Sequence, residues 1–338
     1  VDVVCLPAWD FFPTYSLGYW RIVVLNLRTA FCGFLLIAVM TCSAMAEKVP
    51  YAKTEIEPPT PQWEASVEKN APAKPTVNAD KRKVLVFSLF TGYDHKVIPH
   101  VNRVFQILGK KTGAFDATVT EDIEMLTPEK LAAFDVLVLN NNCSAGERRN
   151  LFLDELERNK TYQGMTEPER QVKAAALEQS MLDFVAKGRG LVAIHGAPTM
   201  LNVSPKFTEM IGAAFDFHPD NQEVTVHTVD ANHPLVAAFR GKEPFVHRDE
   251  PYCFKDAYEK LNFRPLLSMD VDLLKGKDAR VSKMVRYVAW IKPYGDGRVF
   301  YCSPSHFPES YESSTLLQFL LDGLQYTSGD LKCDDSKP

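Results

Sequence analysis

Short, almost unbroken apolar runs alternate with amphipathic stretches from Val84 onward, and this order leaves few folds open to the chain. Val84-Leu85-Val86-Phe87-Ser88-Leu89-Phe90, Phe115 to Thr120 and Asp135 to Asn140 read as strands. Between them Pro99 to Lys111 is a helix, because Val101, Val104, Phe105 and Leu108 recur at spacings of three and four. A short helix at Pro128 to Ala133 follows the second strand. A charged insertion, Glu147 to Arg170, leads into a long helix of about Glu167 to Lys187 and then into the run Gly190-Leu191-Val192-Ala193-Ile194. Strands that are apolar on both faces belong in a parallel sheet with helices on each side, so the predicted class is α/β, three layers deep.

The second half changes period. Glu223 to Val229, Arg264 to Val271 and Met284 to Ile291 alternate apolar with polar residues, which predicts half-exposed antiparallel strands added to the sheet. Tyr294-Gly295-Asp296-Gly297-Arg298 is a hairpin signal. Tyr311 to Tyr326 closes the domain as a helix with Leu316, Phe319, Leu320, Gly323 and Leu324 on one face. The folded domain is expected over residues 83–327, followed by a polar tail at 328–338. Ahead of it, residues 47–82 carry Pro50, Pro58, Pro59, Pro61, Pro72 and Pro75 and read as an extended linker.

Residues 1–46 form an N-terminal extension with the order of a secretory signal. Arg21 and Arg28 precede the apolar run Ala30 to Met40, and Ser43-Ala44-Met45-Ala46 supplies small residues for cleavage after Ala46. The run is too short for the roughly 20 residues of a spanning helix. An exported, periplasmic or secreted protein with no stable membrane span is therefore expected. Cys143, Cys253, Cys302 and Cys333 remain after cleavage, at no regular spacing and without a C-x-x-C pair, so no disulfide scaffold is predicted. A net charge of −5 and the lack of a basic run argue against a nucleic-acid partner. No phosphate-binding glycine loop occurs. Oligomeric state is not encoded in any feature of the sequence.

Three of the predicted strands end in histidine. Val84 to Phe90 leads into Thr91-Gly92-Tyr93-Asp94-His95, the Gly190 run ends at His195-Gly196, and Arg298 to Ser303 leads into Pro304-Ser305-His306. Open α/β sheets bind ligands beyond the carboxyl ends of their strands. A lone histidine there can simply cap a strand, but three converging titratable rings are costly unless solvated or bound to something. His218 in Phe217-His218-Pro219 adds a further imidazole, and the adjacent carboxylates Asp249 and Glu250 precede Pro251-Tyr252 on a loop. A carboxylate pair can act as general base, metal ligand or acceptor for sugar hydroxyls. We assign acid–base roles to His195, Asp249 and Glu250, and substrate contacts to Tyr93, His95, Asn141, His218, Tyr252 and His306. His95, His195, His218 and His306 are the candidate ligands for a divalent zinc, manganese or iron ion. Cys143, after Asn140-Asn141-Asn142, is a weaker candidate as a thiol nucleophile.

Thr91-Gly92-Tyr93-Asp94-His95, Gly190 to Ala197, Phe217-His218-Pro219, Asp249-Glu250-Pro251-Tyr252 and the stretch from Ala289-Trp290 through Tyr294-Gly295-Asp296-Gly297-Arg298 to His306 resemble the ThuA-like, or trehalose-utilisation, family over residues 83–327. The resemblance implies a flavodoxin-like sheet related to class I glutamine amidotransferase domains and a role in carbohydrate metabolism. In those amidotransferases the turn after the central strand carries a nucleophilic cysteine. Here it carries His195, which argues against that chemistry. The expected function is an exported enzyme acting on a glycoside or keto sugar by acid–base or metal-assisted hydrolysis, elimination or isomerisation, with a small carbohydrate as partner and Tyr93, Phe217, Tyr252 and Trp290 available to stack on sugar rings. The rival reading is a non-catalytic carbohydrate-binding or envelope module on the same fold.

Overall fold

The computed structural model of the chain describes residues 56–276, 281 and 286–337. The expected signal segment and its cleavage point lie outside the described residues. Among those described, no helix is long and apolar enough to cross a membrane.

The first element departs from the expected tether. Pro61–Asn70 is a helix, α1, with Thr60 as N-cap accepting from Trp63 N at 3.2 Å, Pro61 at its start, Glu64 in the first turn and Lys69 in the last. Proline is tolerated there because the first-turn N–H has no helical partner. Trp63 and Val67, four residues apart, bury one face of α1, and burial of each such side chain contributes about 1.5–3 kcal/mol. Pro61 thus starts a helix, whereas Pro72 and Pro75 follow it in irregular chain.

Then follow β1 (Arg82–Phe87), α2 (Ile98–Thr112), β2 (Phe115–Thr120), α3 (Pro128–Leu131), β3 (Val136–Asn140), α4 (Leu151–Arg158), α5 (Glu167–Ala186) and β4 (Gly190–Ile194). After these come α6 (Pro205–Ile211), β5 (Ala214–Phe217), β6 (Gln222–Thr228), β7 (Phe245–Asp249), β8 (Cys253–Lys255), β9 (Arg264–Met269), β10 (Tyr287–Tyr294), β11 (Gly297–Cys302) and α7 (Ser314–Thr327). The helices begin where the chemistry says they should: Thr166 and Glu169 form a capping box at α5, and Gly113 ends α2 in the left-handed region at φ 71°. The charged insertion hides α4, whose Leu151, Phe152, Leu153 and Leu156 are buried.

Nine strands form one sheet in the order β2-β1-β3-β4-β11-β10-β9-β6-β7, and β5 pairs with β8 separately. The parallel part, β2-β1-β3-β4-β11, has flavodoxin-like order with β11 in fifth place. The expected antiparallel additions are present, including the β10–β11 hairpin. Two antiparallel steps restore direction, so β9 and β7 run the same way as β11 and only β10 and β6 oppose them. The carboxyl end of β7 therefore shares its sense with those of β1, β3, β4 and β11.

Successive residues of β1 serve opposite faces, the reason its sequence is apolar from Val84 to Phe87. Val84 and Val86 pack with α1, α2 and α7, whereas Leu85 and Phe87 pack with α4, α5 and α6. Trp290, proposed above to stack on a sugar, belongs to the second of these cores: it is fully buried and donates Nε1–H to Ile211 O at 2.8 Å. The polar tail is also anchored, with Leu331 buried and the Asp334 carbonyl 3.0 Å from His233 Nε2.

Candidate functional site

At the carboxyl edge of the sheet, His95, His195, His306 and Glu250 each aim one ligand atom at a common point, and those atoms lie within 4.8 Å of one another. All four residues are buried. His195 is delivered by β4 and held in the left-handed region at φ 42°, a conformation a non-glycine residue keeps only when its surroundings over-determine it. Here they do. Its backbone N–H donates to Cys302 O at 2.9 Å, its carbonyl accepts from Tyr301 Oη at 2.9 Å, and its ring Nδ1 lies 2.9 Å from Ser303 O.

The last contact fixes the tautomer. A carbonyl only accepts, so Nδ1 carries the proton and Nε2 of the neutral ring turns a lone pair inward. That lone pair faces Glu250 Oε2 at 3.2 Å and His306 Nδ1 at 3.1 Å, while His306 Nδ1 lies 3.0 Å from the same carboxylate oxygen. His95 Nε2 is 3.8 Å from Glu250 Oε2. Burial drives the His95 imidazole down to about 3, against the pull of Glu250, so it is neutral at physiological pH.

His95 has its own supports. Gly92 N–H and Thr91 N–H both donate to Cys143 O, at 2.9 and 2.8 Å, which docks the loop after β1 on the loop after β3. A Cβ at Gly92 would sit 2.3 Å from Ser144 O, and one at Gly196 would sit 2.9 Å from Cys143 Sγ and 3.0 Å from His95 Cε1. Gly92→Ala is therefore expected to lower unfolding free energy by about 1–3 kcal/mol, the cost of overpacking, read by urea titration. A change within experimental error would show the two loops to be loosely docked. Sequence reasoning missed the other brace: Asp154 on α4, buried, accepts from Thr91 Oγ1 at 2.7 Å and Ala145 N at 2.9 Å, and Arg158 donates to Thr91 O at 2.7 Å. The available signal was an Asp among the apolar residues of α4.

The remaining candidates divide. Tyr252 is buried with its ring 4.2 Å from that of His195 and its hydroxyl 3.5 Å from His95 Nε2. His218 stacks on Tyr252 at 5.6 Å, and its Nε2 is 3.8 Å from Glu250 Oε1. Its side chain is 32 % exposed, and Tyr93, more than half exposed, stands edge-on to His95 at 4.7 Å, so these two line the solvent side. Asp249 lies back from the centre, its oxygens accepting from Glu250 N, His306 N, Ser305 N and His247 Nε2. Asn141 is likewise engaged by the protein: Oδ1 accepts from Gly196 N at 3.3 Å and Nδ2 donates to Asn140 Oδ1 at 3.0 Å. Burial pushes the Cys143 thiol up to about 12, which argues against a thiolate nucleophile, and its Sγ lies 3.6 Å from His95 Nδ1. A cavity of about 460 Å³ opens beside the centre between β7 and Phe307–Ser313, with Phe245, Arg248 and Phe307 in its wall. The Phe307 ring is 4.5 Å from that of His306.

Burial of neutral His95 has a consequence for the metal-free chain. Its folded value lies below the unfolded 6.5, so the unfolded chain binds more protons between about 6.5 and 3. Stability from this group is complete above pH 6.5 and falls as pH drops, by up to about 1.4 kcal/mol per pH unit. Urea unfolding at stepped pH should show this slope, and His95→Phe should flatten it.

Such a protein is, as a class, an α/β protein of flavodoxin-like strand order with a histidine-rich centre beyond its central strands. The chain belongs to the ThuA family, described as trehalose utilisation, which matches residues 83–327. It is similar in structure to a ThuA-like protein from Bacteroides uniformis, at 18 % identity and a TM-score of 0.51 over 75 % of this chain and 94 % of that one. A ThuA-like protein from Parabacteroides merdae is similar at 17 % identity and a TM-score of 0.50, over 77 % and 98 % of the two chains. No curated protein matches the chain.

Proposed function

We propose that the chain is a metal-dependent enzyme acting on a small carbohydrate, working outside the cytoplasm after its N-terminal segment is removed. The observation that carries this reading is the inward-facing lone pair of His195 Nε2, fixed by Ser303 O and set 3.2 Å from a carboxylate oxygen. Two acceptors at that separation repel unless a proton or a cation lies between them. A histidine that donates its outer N–H to a backbone carbonyl while presenting the other nitrogen is the usual arrangement of a metal ligand. Four of the six separations, 3.0, 3.1, 3.2 and 3.8 Å, bracket the roughly 3.3 Å edge of a tetrahedron with 2.0–2.1 Å bonds, and all six lie within 4.8 Å. Three imidazoles and one carboxylate suit zinc, manganese or iron.

His95, His195, His306 and Glu250 would hold the ion, which when bound supplies Lewis-acid polarisation of a carbonyl or hydroxyl oxygen, or an activated water. This moves His195 and Glu250 from acid–base roles to ligation. Tyr93 would offer an aromatic face to a sugar ring, and His218 would move a proton. Its Nδ1–H is taken by Pro219 O at 2.9 Å, which leaves Nε2 as the free acceptor. The sugar class rests on the family's description and on these rim residues. Elemental analysis of the purified full chain should find about one zinc, manganese or iron per protein. Turnover of a panel of disaccharides and 3-keto sugars should vanish with a chelator and return with the ion. Absence of uptake by the wild-type chain in a metal titration would overturn the reading. Sugar binding without turnover by the metal-loaded chain would favour the binding module.

A further inference from the structure

We propose that α1, which lies outside the stretch matched by the family, positions the imidazole of His306. The ring of His195 is oriented by a carbonyl on its outer nitrogen. Among the described residues, nothing bonds the outer nitrogen of His306, so its aim depends on how its backbone is held. Inside, Asp249 accepts from Ser305 N at 2.9 Å and His306 N at 3.2 Å. Outside, the chain turns at Pro308–Glu312, two residues beyond His306, and there α1 grips it.

Three side chains spaced i, i+3 and i+7 along α1 share one face, as helical geometry requires. Trp63 donates Nε1–H to Pro308 O at 2.9 Å, Ser66 donates its hydroxyl to Glu312 Oε2, and Asn70 donates Nδ2–H to Glu312 O at 2.7 Å. All of these partners lie in the one turn. Within it, Tyr311 donates its hydroxyl back to Ser305 O at 3.2 Å, carrying the hold to the residue before His306. The same turn supplies Glu309, Ser310 and Phe307 to the cavity beside the centre. Trp63 and Asn70 are therefore positioning residues, and Val67, buried on the same helix, is a packing residue that bonds nothing in the turn. The metal arm of the test rests on the function proposed above; the exchange arm does not.

The test compares wild type, Trp63→Phe/Asn70→Ala, Asn70→Ala alone and Val67→Ala, all as the full chain. Hydrogen exchange of the metal-free proteins follows backbone amides 305–313, and zinc affinity is measured by competition with a chromogenic chelator. In the double variant exchange at 305–313 should rise about tenfold, as expected when a local opening becomes easier. Zinc affinity should fall about tenfold, at the low end of what outer-shell partners cost. Asn70→Ala, which removes no apolar contact, should move both readouts the same way. Val67→Ala should lower the unfolding midpoint yet leave both within about twofold of wild type. Wild-type exchange at 305–313 in the double variant, or an equal zinc loss in Val67→Ala, would overturn the proposal. If wild type binds no zinc, the metal reading falls, and the exchange arm alone decides the role of α1.

Discussion

Glu250→Gln is expected to reduce metal affinity by more than the ~10–100-fold that loss of an outer-shell partner costs, while leaving the metal-free fold as stable as wild type or more so. The two signs differ because the carboxylate plays opposed parts in the two states. With an ion bound, its charge and its lone pair are both used. Without one, a buried anion faces the lone pair of His195 Nε2 at 3.2 Å and crowds His306 Nδ1 at 3.0 Å. The amide is nearly isosteric, carries no charge, and can donate N–H to the His195 acceptor. Replacing a poorly compensated buried charge by a neutral group of the same shape is often stabilising. Calorimetric titration with zinc or manganese, paired with urea unfolding of the metal-free protein, checks both arms. Retained affinity would show that Glu250 is not a ligand. A large loss of stability would show that the metal-free centre relies on a salt bridge.

How much of this could be read in the sequence depended on the range over which each signal acts. Apolar runs at Val84, Asp135 and Gly190 set the parallel half, because strands covered on both faces must be apolar at every position. The change to alternation at Glu223, Arg264 and Met284 marked the antiparallel half. The Gly295-Asp296 turn fixed the β10–β11 hairpin, in which Tyr294 pairs with Gly297. Convergence of His95, His195 and His306 was legible for the same reason, since each follows a strand whose direction the parallel sheet dictates. Glu250 was legible only as one of a pair. Which of two adjacent carboxylates turns inward is settled by contacts with Ser305 and His306, far away in the chain, as well as with nearby His247.

The misreadings share a cause. At Pro58, Pro59 and Pro61 composition points to an extended tether, yet Thr60-Pro61-x-x-Glu64 is also an N-cap, a first-turn proline and a first-turn acid. Only the burial of Trp63 and Val67 against the domain decides between these, and that is a tertiary fact. Asn141 looked available because it follows a strand end. Its amide is instead taken up in joining the β3 loop to Gly196, at φ 52° in a position where asparagine is better tolerated than most residues. Trp290 looked like a sugar platform because it is aromatic, but it sits mid-strand in β10, where the sheet face, not the strand end, determines its surroundings.

Asp249→Ala is expected to be the most destabilising single substitution around the centre, by about 3–5 kcal/mol, the range for breaking a buried charged network from one side. The carboxylate is the shared acceptor for Glu250 N at 2.8 Å, Ser305 N at 2.9 Å, His306 N at 3.2 Å and His247 Nε2 at 2.9 Å. Removing it leaves buried donors without partners, each costing about 1–3 kcal/mol before relaxation. It also unties the end of β7 from the chain after β11, so the ligand atoms of Glu250 and His306 lose their common anchor and metal affinity should fall with stability. Burial alone would raise the Asp249 carboxyl, but the hydrogen bond from His247 and the neighbouring imidazoles of His247, His195 and His306 together outweigh this and hold it below the ordinary value. A lowered folded value means the stabilisation is complete above the unfolded value of about 3.9 and is lost as pH falls below it. The gap between Asp249→Ala and wild type should therefore be widest near neutrality and begin to close only below about pH 4. Asp249→Asn, which keeps one acceptor oxygen, should fall between the two. A gap under about 1 kcal/mol in urea unfolding at pH 7 would mean that water replaces the carboxylate, and that the two strand ends are held by packing instead.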